Sequence, residues 1–314
     1  MVQDPRDWSG LRALVTGASG FIGAHLVSRL TALGADVHAV SRSYRPGSEH
    51  PAWHLADVTD ARTCAELIGS IAPDVVFHLA SAVTGARDVD LVVPLMAANQ
   101  ASAVNLLTAV AKSARTTRVV LAGSIEEPHE GHDVTPQSPY AAAKWAASAY
   151  ARMFSALWNV RVSVLQIAMV YGPAQRDVTK LVPYTTLALL RDETPQLSSG
   201  TRLVDWVYVE DVVDALIRSA EVDTAIGKIF DICSGKLVSI RDTVQLLASI
   251  VGSDMRPQFS AVADRPLDIA QRGDPRAAAE LLDWKASTPL EDGLRRTVSW
   301  YAEDLVPVSL SGPR

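Results

Sequence analysis

The stretch "LRALVTGASGFIGAHLVSRLTALG", residues 11–34, restricts this chain more than any other. It opens with a short apolar run, which reads as a buried strand. Three glycines follow, Gly17, Gly20 and Gly23. Ile22, Leu26, Leu30 and Leu33 then recur at helical spacing, and Gly34 ends the helix. A strand that turns through glycine into a helix belongs to a βαβ unit with parallel strands. Gly17 allows the tight turn, Gly20 lets a pyrophosphate approach the backbone, and Gly23 lets helix pack on strand. The helix N-terminus offers unpaired N–H groups and partial positive charge to phosphates. The context therefore predicts a dinucleotide site over Gly17, Ser19, Gly20, Phe21, Ile22 and Gly23.

The same alternation continues. "DVHAVSR", "DVVFHLAS", "TRVVLAGS" and "RVSVLQIAMVYGP" predict four more strands. Between them lie a helix capped by Asp60 and running through Ile71, one near 94–113, and one from Pro139 to Leu157. This pattern predicts an α/β fold, a doubly wound parallel sheet of Rossmann type with right-handed crossovers. Later strands, "RLVDWVYV" and "KIFDICSG", each lead into a helix, and "PLEDGLRRTVSWYAED" is the last helix. The expected division is a nucleotide-binding domain over 1–172 with returning segments near 202–235. A smaller, noncontiguous C-terminal substrate lobe takes 173–201 and 236–305, and a tail takes 306–314.

The end of the second strand selects the dinucleotide. An NAD site usually places Asp or Glu there for the ribose 2′-OH. Here Ser41 and Arg42 stand instead, and Arg42 can pair with a 2′-phosphate. NADP(H) is favoured, with NAD(H) possible. Asp57 and Val58, in "LADVTD", are placed beside the adenine, although Asp57 equally suits a turn or a cap.

Composition removes other classes. The net charge is -6, which disfavours nonspecific nucleic-acid binding. No apolar run reaches the ~18 residues of a membrane span, and "MVQDPRDWSG" is no signal peptide. Cys64 and Cys233 stand in no metal or redox spacing and read as reduced thiols, so a cytoplasmic location is expected.

The chemistry is expected in "AGSIEEPHEGHDVTPQSPYAAAK", residues 122–144. Tyr140 and Lys144 are four apart and share a helix face. A Tyr with pKa about 10 is a poor acid–base at neutral pH, and a nearby ammonium lowers that value. The tuned phenol then exchanges a proton with a substrate oxygen as hydride moves. Ser124, at a strand end, can donate a hydrogen bond to the same oxygen. His129, Glu130 and His132 match no zinc spacing, and no metal is expected.

With these residues the chain resembles the extended short-chain dehydrogenase/reductase family, enzymes that epimerise, dehydrate or reduce nucleotide sugars. The resemblance covers about 11–303 through "TGASGFIG", "HLAS", "NQASAVNLLTA", "AGS", "YAAAK", "VYGP", "DWVYVEDVVDA" and "LLDWKASTPLEDGL". It implies Ser124, Tyr140 and Lys144 as the catalytic set. It also implies Leu79, Ala80 and Ser81 beside the cofactor, Asn99 in a central helix near the lysine, and a nucleotide sugar on the C-terminal lobe. A homodimer is implied through the helices near 94–113 and 139–157, where Trp145, Met153 and Trp158 supply apolar bulk or fill the core.

Departures from the family bear on the reaction. Glu126 matches the glutamate that serves 4,6-dehydratases as C5 base, but the acid that often precedes it is Ile125 here. Reductases of the GDP-4-keto-6-deoxymannose type carry a similar Ser-x-Glu-Glu run, with the Glu on sugar hydroxyls. Both Glu126 and Glu127 also suit a solvated loop. The arginine of "RDFVYVDD" is Val204. Arg202 shares its strand face and, with Arg265, is the candidate for a substrate diphosphate. Met169 and Gln166 replace a family Asn and Arg. The reading is an NADP(H)-dependent 4-ketoreductase of a nucleotide-linked keto-sugar. The alternatives are a dehydratase or epimerase with tightly bound NAD(P)+ and Glu126 as base, and a noncatalytic dinucleotide-binding subunit.

Overall fold

The computed structural model describes residues 8–43, 51–113, 115–128, 135–264, 270 and 272–305. Arg265, His129, Glu130 and His132 lie outside the described residues. The chain divides into two compact units. The first draws on 1–168, 212–232 and 273–285, and the second on 169–211, 233–272 and 286–314.

The first unit opens with β1 (Arg12–Thr16), α1 (Phe21–Ala32), β2 (Asp36–Ser41), β3 (Ala52–Leu55), α2 (Ala61–Ile71) and β4 (Val75–His78). The helical stretch that follows has a 3-10 turn at Val89–Leu91, α3 (Val92–Leu95), a π-helical turn at Met96–Ala101 and α4 (Ser102–Lys112). Then come β5 (Arg118–Ser124), α5 (Pro139–Trp158) and β6 (Arg161–Ile167). Further along the chain lie β7 (Met169–Tyr171), α6 (Leu181–Leu190), β8 (Leu203–Tyr208), α7 (Val209–Glu221), β9 (Ile229–Ile232), β10 (Leu237–Ser239), α8 (Ile240–Val251), α9 (Arg276–Leu282) and α10 (Leu290–Leu305).

Seven strands form one sheet in the order β3-β2-β1-β4-β5-β6-β9, and every pair is parallel. This is the expected doubly wound sheet. Its strand order reverses between β1 and β4, the switch point where ligands bind in such sheets. β4 and β5 are buried along their whole length, as parallel strands covered on both faces must be. Leu14, Val76, Val119, Val162 and Val164 of the sheet pack with Leu67, Leu106, Leu107, Ala147 and Phe154 from α2, α4 and α5. Burying each large side chain contributes about 1.5–3 kcal/mol. Leu106→Ala would therefore cost about 2–5 kcal/mol.

The helices stop and start for local reasons. Asp60 caps α2, accepting from the backbone N–H of Arg62 and of Thr63. Ser138 caps α5 through Ala141 N at 3.0 Å, with Pro139 at its first position. Asn159 closes α5 at φ 53, in the left-handed region.

Three expectations need correction. "RVSVLQIAMVYGP" is two strands: β6 pairs with β5 and β9 in the large sheet, whereas β7 pairs with β8 in the small one. β8, expected to return to the nucleotide-binding domain, pairs with β7 and β10 in the second unit. α9, expected in the substrate lobe, belongs to the first unit and packs against β9; Ala278, Leu282 and Trp284 are buried there. The helical stretch Val89–Lys112 is long and apolar enough by length and composition to cross a membrane, although Asp90, Asn99, Gln100 and Asn105 interrupt it, so it is no unbroken apolar run. Its α4 segment instead buries Ala103, Leu106, Leu107 and Val110 in the core beside the sheet.

The second unit has a three-stranded sheet in the order β10-β8-β7. β7 runs parallel to β8, and β10 antiparallel to it. Tyr171, Trp206, Tyr208, Leu189, Leu247 and Leu294 form its core.

Candidate active site

The turn after β1 and the end of β4 face each other across the switch point. Gly17 has φ +68, and a Cβ there would lie 2.7 Å from Ala80 N and from the Leu79 carbonyl carbon. At Gly23 a Cβ would meet Gly17 O at 2.2 Å, so α1 lies directly on the turn. Gly20 caps α1 with no side-chain hydrogen bond, and no acidic residue occupies the first turn. The N–H groups of Phe21 and Ile22 at this end suit a pyrophosphate, so these residues fit the diphosphate of a dinucleotide.

Around that turn the hydroxyl of Ser19 lies 3.1 Å from that of Ser41. Arg42 is exposed at the end of β2. Asp57 Oδ1 closes a local turn onto Thr59 N at 2.9 Å and Thr59 Oγ1 at 2.8 Å, and these bonds lower its pKa. Val58 is buried in the core.

Behind the turn, Thr16 Oγ1 lies 2.8 Å from Nδ1 of the buried His78, and His78 Nε2 lies 3.3 Å from Ser102 Oγ. Burial, and secondly the Lys144 charge, lower the His78 pKa to about 3, so the ring is neutral. Thr16, His78 and Ser102 each stand in a quoted motif, "TGASGFIG", "HLAS" and "NQASAVNLLTA", but their meeting depends on the fold. Asn99, in the π-helical turn, accepts from Ser81 Oγ at 2.6 Å and Ala82 N at 3.1 Å, and donates to Ala82 O at 3.1 Å. It therefore fixes the segment after β4. Such turns within helices frequently mark functional sites.

β5 and α5 bring the acid–base candidates together. Tyr140 is buried. The hydroxyls of Ser124 and Ser81 act to lower the pKa of its phenol, and the charge of Glu126 acts to raise it. Lys144 is buried, donates from Nζ to Ala122 O at 2.7 Å and stands 6.0 Å from the Tyr140 ring centroid. Burial pulls its pKa down to about 8, against the raising effect of Glu127. The phenol differs from expectation. Burial first, and the Glu126 carboxylate second, push the Tyr140 pKa up. Lys144 Nζ donates to the strand carbonyl of Ala122 instead, and desolvation is the largest influence on the phenol.

The two glutamates divide. Glu126 is half-buried, and its N–H donates to Ser124 Oγ at 3.2 Å. Glu127 is fully buried, so the solvated-loop reading does not apply to it. Its Oε1 accepts from Ser124 N at 2.7 Å and its Oε2 from Gln166 Nε2 at 2.8 Å. Gln166 lies opposite Gly123 in the β5–β6 register. The one sequence mark of this arrangement is Gly123, a glycine inside a buried strand, which signals close approach of another group. Arg202 lies in the second unit, half-buried one residue ahead of β8, with its carbonyl accepting from Ile240 N at 2.9 Å. Among the described residues no group of three or more His, Cys, Asp or Glu is placed to hold a metal.

Comparison with known proteins agrees with this architecture. Residues 13–233 match the family described as NAD dependent epimerase/dehydratase family. The chain is 32% identical to UDP-glucose 4-epimerase of Mycolicibacterium smegmatis, over 93% of this chain and 98% of that one. It is 28% identical to dTDP-glucose 4,6-dehydratase of the same organism, over 93% of each. Among solved structures it is similar to UDP-glucose 4-epimerase of Thermotoga maritima with UDP-glucose, at TM-score 0.86 and 26% identity, covering 94% of this chain and 100% of that one. It is also similar to the Bordetella bronchiseptica enzyme WbmF with NAD+, at TM-score 0.80 and 26% identity, covering 95% and 94%. Together with the parallel sheet and its glycine turn, these matches establish that the chain is an enzyme of the NAD-dependent epimerase/dehydratase family, within the extended short-chain dehydrogenases/reductases.

Proposed function

We propose that this chain is a nucleotide-sugar 4-epimerase that keeps its nicotinamide dinucleotide bound through the cycle. The observation behind this reading is the neighbourhood of Tyr140. A phenol, two hydroxyls and an ammonium converge there, while the position before Glu126 is the buried, apolar Ile125. Proton exchange at one sugar oxygen needs the former set. Expulsion of a C6 hydroxyl needs an acid, which Ile125 does not supply. The relatives named as epimerases and dehydratases favour this cycle over the net 4-ketoreductase read from the sequence.

In this mechanism the dinucleotide supplies reversible hydride acceptance at C4. Tyr140 takes the proton from the C4 hydroxyl and returns it after the ketone has turned over. Ser124 holds the same oxygen by hydrogen bonding, and the Ser81 hydroxyl also acts on the phenol. Lys144 supplies positive charge behind the phenol, which favours the phenolate form. Burial and Glu126 oppose it. Glu126 binds a sugar hydroxyl. Arg202 and Arg265 are the proposed diphosphate contacts.

At β2 no carboxylate meets the ribose, and Arg42 is exposed. We therefore favour NADP(H), with NAD(H) as the alternative seen bound in WbmF. A homodimer is also part of this reading. Trp145, Tyr150, Leu157 and Trp158 of α5 are exposed, as are Val92, Val93 and Met96 of the helical stretch that packs on it. A second copy would cover this apolar face. Met153 instead packs inward on the core.

A second reading, 4,6-dehydration with Glu126 as the C5 base, is favoured by the action of the Glu126 charge on the Tyr140 phenol. The test is turnover of UDP-glucose and dTDP-glucose in heavy water, followed by NMR. Inversion at C4 without deuterium at C5 is expected. A 6-deoxy-4-keto product carrying solvent deuterium at C5 supports dehydration. Turnover only of keto-sugars with added reduced dinucleotide overturns both.

A further inference from the structure

We propose that Glu127 is the positioning residue of this site: it clamps the backbone of Ser124 and is the buried countercharge to Lys144, which is moored on the same strand segment. The inference rests on the roles given above to Ser124 and Lys144, and it concerns a residue that those roles leave unused.

Glu127 is 0% exposed. A carboxylate taken fully out of water costs several kcal/mol unless its oxygens are paired and hydrogen-bonded. An apolar side chain would fill the same space at less cost, so the group has to be explained by what it holds. It holds Ser124 from both sides. Ser124 N donates to Glu127 Oε1 at 2.7 Å, and Glu127 N donates to Ser124 O at 3.0 Å. With Glu126 N on Ser124 Oγ at 3.2 Å, the hydroxyl is aimed by three bonds from the two glutamates. The second carboxylate oxygen is anchored across the sheet by Gln166 Nε2 at 2.8 Å. From α5 the Ser148 hydroxyl also faces the carboxylate, outside strict hydrogen-bond geometry.

The strand is shaped to admit the carboxylate. A Cβ on Gly123 would stand 2.6 Å from Glu127 Oε1 and 3.0 Å from Val164 Cγ1. Lys144 is tied to the same three residues of β5, because its Nζ donates to Ala122 O at 2.7 Å. Carboxylate and ammonium are thus moored on either side of Gly123.

The charged and titratable groups around Lys144 are few. His78 faces it from β4 and is neutral, with its pKa near about 3. Tyr140, on its own helix, is a phenol pushed up by burial. Glu127, from the loop after β5, is the negative charge that raises Lys144 against desolvation. Lys144 in turn lowers the Glu127 pKa, which burial raises. Loss of the carboxylate charge would shift Lys144 further toward the neutral amine.

The experiment reads Lys144 directly. Protein labelled with carbon-13 at lysine Cε is titrated by NMR, with the Lys144 signal assigned by its loss in Lys144→Met. No sugar is present, so the result stands or falls independently of the reaction assigned above. Glu127→Gln removes the charge, and a flip of the Gln166 amide lets it keep every hydrogen bond. The expected result is a Lys144 midpoint near 8 in the wild type and about one pH unit or more lower in Glu127→Gln. In the pair Glu127→Gln, Gln166→Glu the carboxylate returns on β6, and the midpoint should return toward the wild-type value. A midpoint unmoved in Glu127→Gln overturns the proposal. If that variant does not fold, the paired exchange decides alone: retention of the midpoint supports the charge role, and a fall of about one unit or more overturns it.

Discussion

Lys144 Nζ donates to the carbonyl oxygen of Ala122 at 2.7 Å, at the strand end that also presents Ser124. The bond fixes the ammonium where it can act on the active site, at the cost of burying it. Burial pulls its pKa from the ordinary 10.5 down to about 8. Folding thus disfavours the charged form. The penalty is fully present below pH about 8 and is relieved as pH rises from about 8 to 10.5. The stability of the wild type relative to Lys144→Met should therefore rise across that window, by up to about 3 kcal/mol. Urea unfolding at a series of pH values measures it, and a flat difference would contradict the assigned burial.

Tyr140→Phe removes one oxygen and leaves the ring in place. Turnover should fall about 100- to 10,000-fold. Dinucleotide content should not change, since the pyrophosphate is assigned to the α1 end. Comparable turnover in the variant would remove Tyr140 from the chemistry.

Two glycines on helices should respond in opposite directions. Gly23→Ala places a methyl group 2.2 Å from Gly17 O and 2.9 Å from Ala18 Cα, all backbone. It should destabilise the protein by about 1–3 kcal/mol or more and reduce bound dinucleotide. Gly69, on α2, has nothing within 4 Å of such a methyl, and Gly69→Ala should stabilise by about 0.5–1 kcal/mol. Thermal melts of the two variants give the comparison.

The exposed ring of Trp158, 53% accessible, stands next to Phe154 with ring centroids 4.9 Å apart. If a second copy covers this face, Trp158→Glu should shift sedimentation from dimer to monomer with little change in secondary structure. Unchanged sedimentation would place the interface elsewhere.

The fold class is legible in the sequence because parallel strands buried on both faces are continuous apolar runs, as in "ALVT" and "RVVLAGS". β3 and β10 are not. They are only four and three residues long and half-buried for the most part, so no apolar run marks them. The spacing of Tyr140 and Lys144 is a local fact, which helix geometry turns into a shared face. The inward turn of Glu127 is not local. It depends on Gln166, brought opposite Gly123 by strand register, and on a missing Cβ. Net electrostatics were equally hidden, because spacing does not show how far burial outweighs a neighbouring charge at Tyr140.

The central claim is a self-recycling enzyme, and the most direct measurement is the mass of the nucleotide released when the purified protein is denatured. An oxidised nicotinamide dinucleotide is expected at close to one per chain, carrying the 2′-phosphate that Arg42 suits. An empty protein that binds and exchanges reduced dinucleotide in each turnover would contradict it.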